Sequence, residues 1–203
     1  MMILKRGKKM TQPEHLSALS ITQNIDTTSL KQETQDYFNL CNEKLGFVPN
    51  VLLAYAHDEA KLDHFMGFYN NLMLSESGLT KLEREMIAVV VSSYNHCYYC
   101  LVAHGAAVRH MSDDPMLGEL LVMNYRAAEL SERHRAMLDF TWKLSESPEK
   151  ITEEDREALR ENGFNDQDIW DISAVASFFN MSNRMSLAID LMPNTDYHAK
   201  ARV

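Results

Sequence analysis

Apolar and polar residues follow one another with a helical period along most of the chain, and nowhere with the two-residue period of a half-buried strand hairpin. From Ser29 to Leu45, Leu30, Tyr37, Phe38, Cys41 and Leu45 share one stripe, and Gly46 ends the pattern. Pro49 and Asn50 open a short segment, VLLAYA, before a second amphipathic stretch from Asp58 to about Met73 with Leu62, Phe65, Met66, Tyr69 and Leu72 on its apolar face. Beyond the Glu76–Gly78 turn, Thr80 is followed three residues later by Glu83, a capping box in which each side chain satisfies the other's free backbone N–H. The helix it opens carries Glu85 and then six consecutive apolar residues, Met86 to Val91, a run that predicts burial on most sides.

Ser92 to Asn95 are weak helix formers and predict a break, with a new helix starting near His96 or Cys97 and reaching about His110. Asp113–Pro115 opens another, to about Arg126, and Leu130–Ser131 opens one containing Met137, Leu138, Phe140, Trp142 and Leu144. Thr152 caps a short helix stopped by Gly163, and Asn165 caps a long final helix apolar at Ile169, Trp170, Ile172, Val175, Phe178 and Phe179. Trp142 and Trp170 are expected in the core. Asn180, Asn183 and Arg184 on the last helix are expected on a solvated face. The expected fold class is all-α.

Residues 1–27 carry little apolar periodicity and are expected to form a flexible arm ahead of one helical domain, 28–203. With an offset of 51 residues, Leu79-Thr80, Arg84, Met86 and Ile87 align with Leu130-Ser131, Arg135, Met137 and Leu138. That alignment suggests two related helical units, about 45–126 and 127–192, the second a degenerate copy lacking the chemistry of the first. Composition agrees with helix: Gly and Pro number only seven and five in 203 residues. The net charge of −9 argues against nucleic acid as a partner. The only basic cluster is Lys5, Arg6, Lys8 and Lys9, and no apolar region of signal-peptide length follows it. No window reaches membrane-spanning length without charge. Three cysteines are too few for a disulfide scaffold and suit a reducing compartment, so a cytoplasmic location is expected.

The candidate chemistry is concentrated in EMIAVVVSSYNHCYYCLVAH, residues 85–104. Cys97 and Cys100 form a C-x-x-C pair, and His104 lies one helical turn beyond Cys100, on its face of the helix. A thiol in the first turn of a helix meets unpaired N–H groups and the positive end of the dipole, which favours Cys97 as the more acidic member. A carboxylate at the edge of a buried run, Glu85, completes the ingredients of thiol redox chemistry. Cys41, among core-type residues, reads as a buried thiol outside the pair.

The pattern Glu85-x11-Cys97-x2-Cys100-x3-His104 resembles the alkylhydroperoxidase D and carboxymuconolactone decarboxylase superfamily, and in particular its peroxidase-related branch. The resemblance covers roughly residues 45–190. It implies an all-α fold, homo-oligomers such as trimers or hexamers, and no metal or organic cofactor. It further implies that Cys100 is the peroxidatic thiol, that Cys97 resolves it, and that Glu85 and His104 relay the proton. The implied partners are a hydroperoxide substrate and an external dithiol reductant, with no membrane partner. The alkylhydroperoxidase D pattern places a second His directly before its second Cys; here that position is Tyr99.

Tyr98, Tyr99 and His96 are the candidate substrate-binding residues beside the thiols. Competing readings remain. A zinc site could draw on Cys97, Cys100, His104 and either Glu85 or His96, although structural zinc usually clips separated segments. Both cysteines could be buried small residues without chemistry. A decarboxylase acting on a lactone acid does not rely on the C-x-x-C, and a non-enzymatic redox sensor would use the same disulfide switch. A c-type haem is excluded because Leu101, not His, follows Cys100.

Overall fold

In the computed structural model, which describes residues 12–202, the chain forms nine α-helices with short 3-10 turns and, among the described residues, no strand. They are α1 (Gln32–Leu45), α2 (Asn50–Tyr55), α3 (Glu59–Leu74), α4 (Lys81–Tyr94), α5 (Tyr98–Ser112), α6 (Pro115–Asn124), α7 (Glu132–Glu146), α8 (Glu153–Glu161) and α9 (Asp166–Ala188). The fold is all-α, as the periodicity predicts. No helix among the described residues is long and apolar enough to cross a membrane.

Helix α4 is the axis of the molecule, packing against α5, α6, α7 and α9. Its Thr80–Glu83 capping box is formed in both directions, and every residue from Glu83 to Ser92 is buried. Met86 to Val91 retain no exposure at all. Each of the larger side chains in that run contributes about 1.5–3 kcal/mol by leaving water. The core around it draws Leu62 and Phe65 from α3, Leu121 from α6, Met137 and Leu138 from α7, and Ile172, Val175, Phe178 and Phe179 from α9.

The two segments aligned at an offset of 51 adopt the same local arrangement. Thr80 and Ser131 are both N-caps that accept from the backbone N–H three residues on. Arg84 reaches back to the carbonyls of Leu72 and Leu79, as Arg135 does to those of Tyr125 and Ala128. These carbonyls belong to the chain that precedes each helix. Opposite Glu85 on α4 stands Ala136 on α7.

Three expectations are corrected. Ser92 and Ser93 do not break α4, because each hydroxyl finds a carbonyl: Ser92 Oγ donates to Ala88 and Ser93 Oγ to Val122. The break falls later, where Asn95 caps α4 and His96 takes a left-handed conformation with φ 54°. Trp170 is not core but 72% exposed, since α9 turns that face outward, whereas Trp142 packs against the core. The expected arm lies outside the described residues up to residue 11, including the cluster Lys5, Arg6, Lys8 and Lys9. From Gln12 onward it is tied to the chain after α9. Gln12 donates to the Pro193 carbonyl, Ala18 N–H to Ile189 and Met192 N–H to Leu16. This pairing roofs a small second core of Ala54, Cys97, Tyr99, Cys100, Ala103, Ile189 and Leu191.

Candidate active site

The turn between α4 and α5 places the thiols. Cys97 N–H donates to Ser92 O at 3.0 Å, folding the chain back against the end of α4. Cys97 is the N-cap of α5 and its carbonyl accepts from Leu101 at 2.9 Å. Its sulfur sits at the positive end of the helix, with Cys100 three residues on. Both cysteines are buried, at 0% and 2% exposure, and both are free thiols.

The two thiols shift each other's acidity in opposite directions. The Cys100 thiol directed at Cys97 lowers the Cys97 thiol from 9.0 to about 7 against the effect of burial, and the Cys100 backbone N–H and His104 add to this. Cys100 is correspondingly pushed well above 9.0, by donating to Cys97 and by burial. The pair therefore gives up its first proton as the pH rises through neutrality, titrating as a unit.

His104 Nδ1 lies 2.7 Å from Glu85 Oε2, with both side chains largely buried. The imidazole stands edge-on to Phe179 of α9, ring centroids 4.6 Å apart. One helical turn separates it from Cys100. Glu85, Cys100 and His104 line a cavity of about 420 Å³. Its walls are mostly apolar and aromatic: Tyr37 and Leu40 from α1, Phe65 and Tyr69 from α3, Phe178 and Phe179 from α9, and Tyr197 from the C-terminal turn. Cys97 is not among the lining residues. The two sulfurs are thus differentiated: Cys97 is the more acidic, and Cys100 faces the space a ligand would occupy.

Of the candidate substrate-binding residues, only Tyr99 lines this cavity. Its hydroxyl accepts from Val51 N–H at 3.2 Å, anchoring the first turn of α2, and burial raises its phenol well above 10.0. Tyr98 and His96 lie elsewhere. A step of one residue on a helix turns Tyr98 to the surface, where its hydroxyl meets Gln12 and His198. The left-handed turn leaves His96 exposed. Among the described residues no three His, Cys, Asp or Glu side chains are grouped as metal ligands.

Several neighbours escaped the sequence reading. Cys41 stands on the cavity wall, its thiol raised by burial. Asn183, expected on a solvated face, has no exposure and donates to Ser92 Oγ at 3.0 Å, while Asn95 Nδ2 donates to its Oδ1 at 3.1 Å. Ser186 is buried one turn further on. The available signal was the spacing of Asn180, Asn183 and Ser186, three residues apart and so on one side of the helix.

The carboxymuconolactone decarboxylase family model matches residues 61–116, the span from α3 to the start of α6. An uncharacterized peroxidase-related protein from Silicibacter sp. TM1040 is 58% identical; the match covers 95% of this chain and 100% of that one, with TM-score 0.89. A second, described as an alkylhydroperoxidase AhpD core and uncharacterized peroxidase-related protein, from Ralstonia eutropha JMP134, is 39% identical over 94% of this chain and 99% of its own, also with TM-score 0.89. The chain belongs to the alkylhydroperoxidase D and carboxymuconolactone decarboxylase superfamily. The debrominase Bmp8 shares the fold at 18% identity and TM-score 0.73, over 94% of this chain and 98% of its own. No curated protein gives a significant match. Within the superfamily, the helices α4 and α5 that carry Glu85, Cys97, Cys100 and His104 fall inside the matched span.

Proposed function

We propose that the protein is a thiol-dependent peroxidase that reduces organic hydroperoxides through a Cys97/Cys100 dithiol–disulfide cycle. The observation that carries this reading is the asymmetry of the pair: one thiol enclosed at a helix start, its neighbour opening with His104 and Glu85 onto an apolar cavity, which fits the lowered acidity constant of the first. A proton moving from Cys100 to Cys97 delivers the thiolate to the cavity side. The Cys100 thiolate attacks the terminal oxygen of ROOH, the O–O bond breaks, and the leaving alkoxide takes a proton through His104, giving ROH and Cys100 sulfenic acid. Glu85, hydrogen-bonded to Nδ1, orients the imidazole.

The Cys97 sulfur then attacks the sulfenic sulfur, water leaves, and the Cys97–Cys100 disulfide forms. An external dithiol reduces it by exchange, with Cys97 as the better leaving group because its thiol is the more acidic. The cycle converts ROOH and a dithiol to ROH, water and a disulfide. The partners in this reading are the hydroperoxide and the dithiol, and the working form is a homo-oligomer, as the family relationship supports.

The test is a free-thiol count on the reduced, metal-free protein before and after one equivalent of an organic hydroperoxide, with Cys100→Ser alongside. Loss of two thiols with peroxide consumed, and an inert variant, is the expected result. Survival of all three thiols would overturn the proposal and bring the decarboxylase and binding readings forward, whereas reversible thiol loss with little peroxide turnover would favour the redox sensor.

A further inference from the structure

We propose that Asn183, with Ser186 beside it, supplies the hydrogen-bond donors that hold and stabilise the reacting sulfur of Cys100. A fully buried amide costs about 1–3 kcal/mol for each polar group left unpaired, so its partners account for its presence in α9. The hydrogen bonds fix its orientation. Ser92 Oγ spends its own hydrogen on Ala88 O at 2.6 Å, so toward Asn183 it can only accept. Asn95 Nδ2, a donor, occupies Asn183 Oδ1 at 3.1 Å. The Asn183 nitrogen therefore faces Ser92 and the thiols.

That nitrogen carries two hydrogens. Ser92 takes one; the other, with the Ser186 hydroxyl one turn further on, is left for the Cys100 sulfur, whose thiolate both groups favour. Ser186 favours the Cys97 thiolate as well. The groups that orient the amide also set the thiol backbone, since Ser92 O holds Cys97 N–H and Asn95 caps α4. A displacement of one would displace the other. The result is a fixed donor pair aimed at an atom that becomes anionic during attack, the arrangement by which an oxyanion hole acts.

The part this plays in turnover rests on the peroxidase reading, but the proposed donor pair does not. The titratable groups around Cys100 are Cys97, His104 and Glu85 together with the buried phenols of Tyr69 and Tyr99. A Cys41→Ser, Cys97→Ser background leaves Cys100 as the single thiol and holds the other groups constant. Its ionisation is followed by thiolate ultraviolet absorbance against pH, with Asn183→Leu, Asn183→Asp and Ser186→Ala added in turn.

Losing one donor is expected to lower the thiolate-to-thiol ratio at a given pH about 5–10-fold, more for Asn183→Asp, which turns an acceptor and a charge toward the sulfur. A folded Asn183→Leu with an unchanged midpoint overturns the proposal. Should both Asn183 variants fail to fold, Asn95→Ala frees the amide to turn and Ser186→Ala removes the second donor; no shift in either overturns it equally. A shifted midpoint in a protein that leaves hydroperoxide untouched would sustain the donor pair and sink the peroxidase reading alone.

Discussion

Replacing Cys100 with Ala in a Cys41→Ser background should return Cys97 to an ordinary or weaker acidity. The largest influence holding Cys97 near 7 is the Cys100 thiol, while burial pushes the other way. Without that donor, the first-turn amide, His104 and Ser186 are left to offset burial, and the thiol should titrate near 9.0 or above. Two pH units correspond to about 2.7 kcal/mol of differential stabilisation of the thiolate. In thiolate population at neutral pH, the change is from about one half to about one hundredth. The assay is thiolate absorbance against pH on the reduced protein. Cys100→Ser is the companion variant, because its hydroxyl still donates and should keep the midpoint near 7. Equal midpoints in Cys100→Ala and the parent would refute the reasoning and assign the acidity to the helix terminus alone.

The same pair makes stability depend on pH. Cys97 has a folded value of about 7, below its ordinary 9.0, so its contribution is full above 9.0 and is lost as pH falls through 7. Cys100 has the opposite sign and opposes it above 9.0. Relative to Cys97→Ser, the denaturant midpoint should therefore rise between these limits with a slope of at most about 1.4 kcal/mol per pH unit; a flat difference would contradict the shifts. Glu85→Gln leaves His104 Nδ1 a hydrogen-bond acceptor but removes the charge. It should slow hydroperoxide-driven disulfide formation about 100-fold in rapid mixing while the Cys97 titration moves little; an unchanged rate would remove Glu85 from the relay. Arg133→Ala strips the guanidinium that lies 2.8 Å from buried Glu83 and should cost about 3 kcal/mol, or roughly 10 °C in Tm. Arg133 and the Thr80 N–H hold the Glu83 carboxyl below 4.5 despite its burial. The stability this provides is therefore full above 4.5 and lost as pH falls through the lowered value, and the variant lacks the share that Arg133 supplies. Tyr99→Phe gives up the bond to Val51 N–H, for about 1 kcal/mol in thermal unfolding.

The fold was legible wherever a local rule had no tertiary rival. Thr80 with Glu83, Thr152 before α8, Asn165 before α9 and the left-handed Gly46 and Gly163 mark helix ends through contacts within a few residues, and such contacts are written in the sequence. Ser92 and Ser93 escaped because propensity favoured a break, while a distant carbonyl, that of Val122, accepts the Ser93 hydroxyl. Asn183 escaped for the same reason: an amide reads as solvated until its partners, 88 and 91 residues away, are known. In the site, the C-x-x-C and its His followed from spacing on one helix. The cavity did not, because its walls come from α1, α3, α9 and the turn at Tyr197.

One break in one helix gives the two sulfurs their different characters. Had α4 run on into α5, both cysteines would lie mid-helix, with no free amides facing either. The left-handed His96 and the return of Cys97 N–H to Ser92 O put Cys97 at a helix start, where a thiolate is stabilised, and seal it behind residues 16–18 and 189–192. Cys100, three residues on and adjacent to it, then faces the cavity together with His104. An enclosed acidic thiol is a good leaving group and a poor target; its neighbour on the cavity is the reverse. On the peroxidase reading proposed above, a hydroperoxide in the cavity meets Cys100 first, and attack falls to Cys100 even though the charge rests more easily on Cys97.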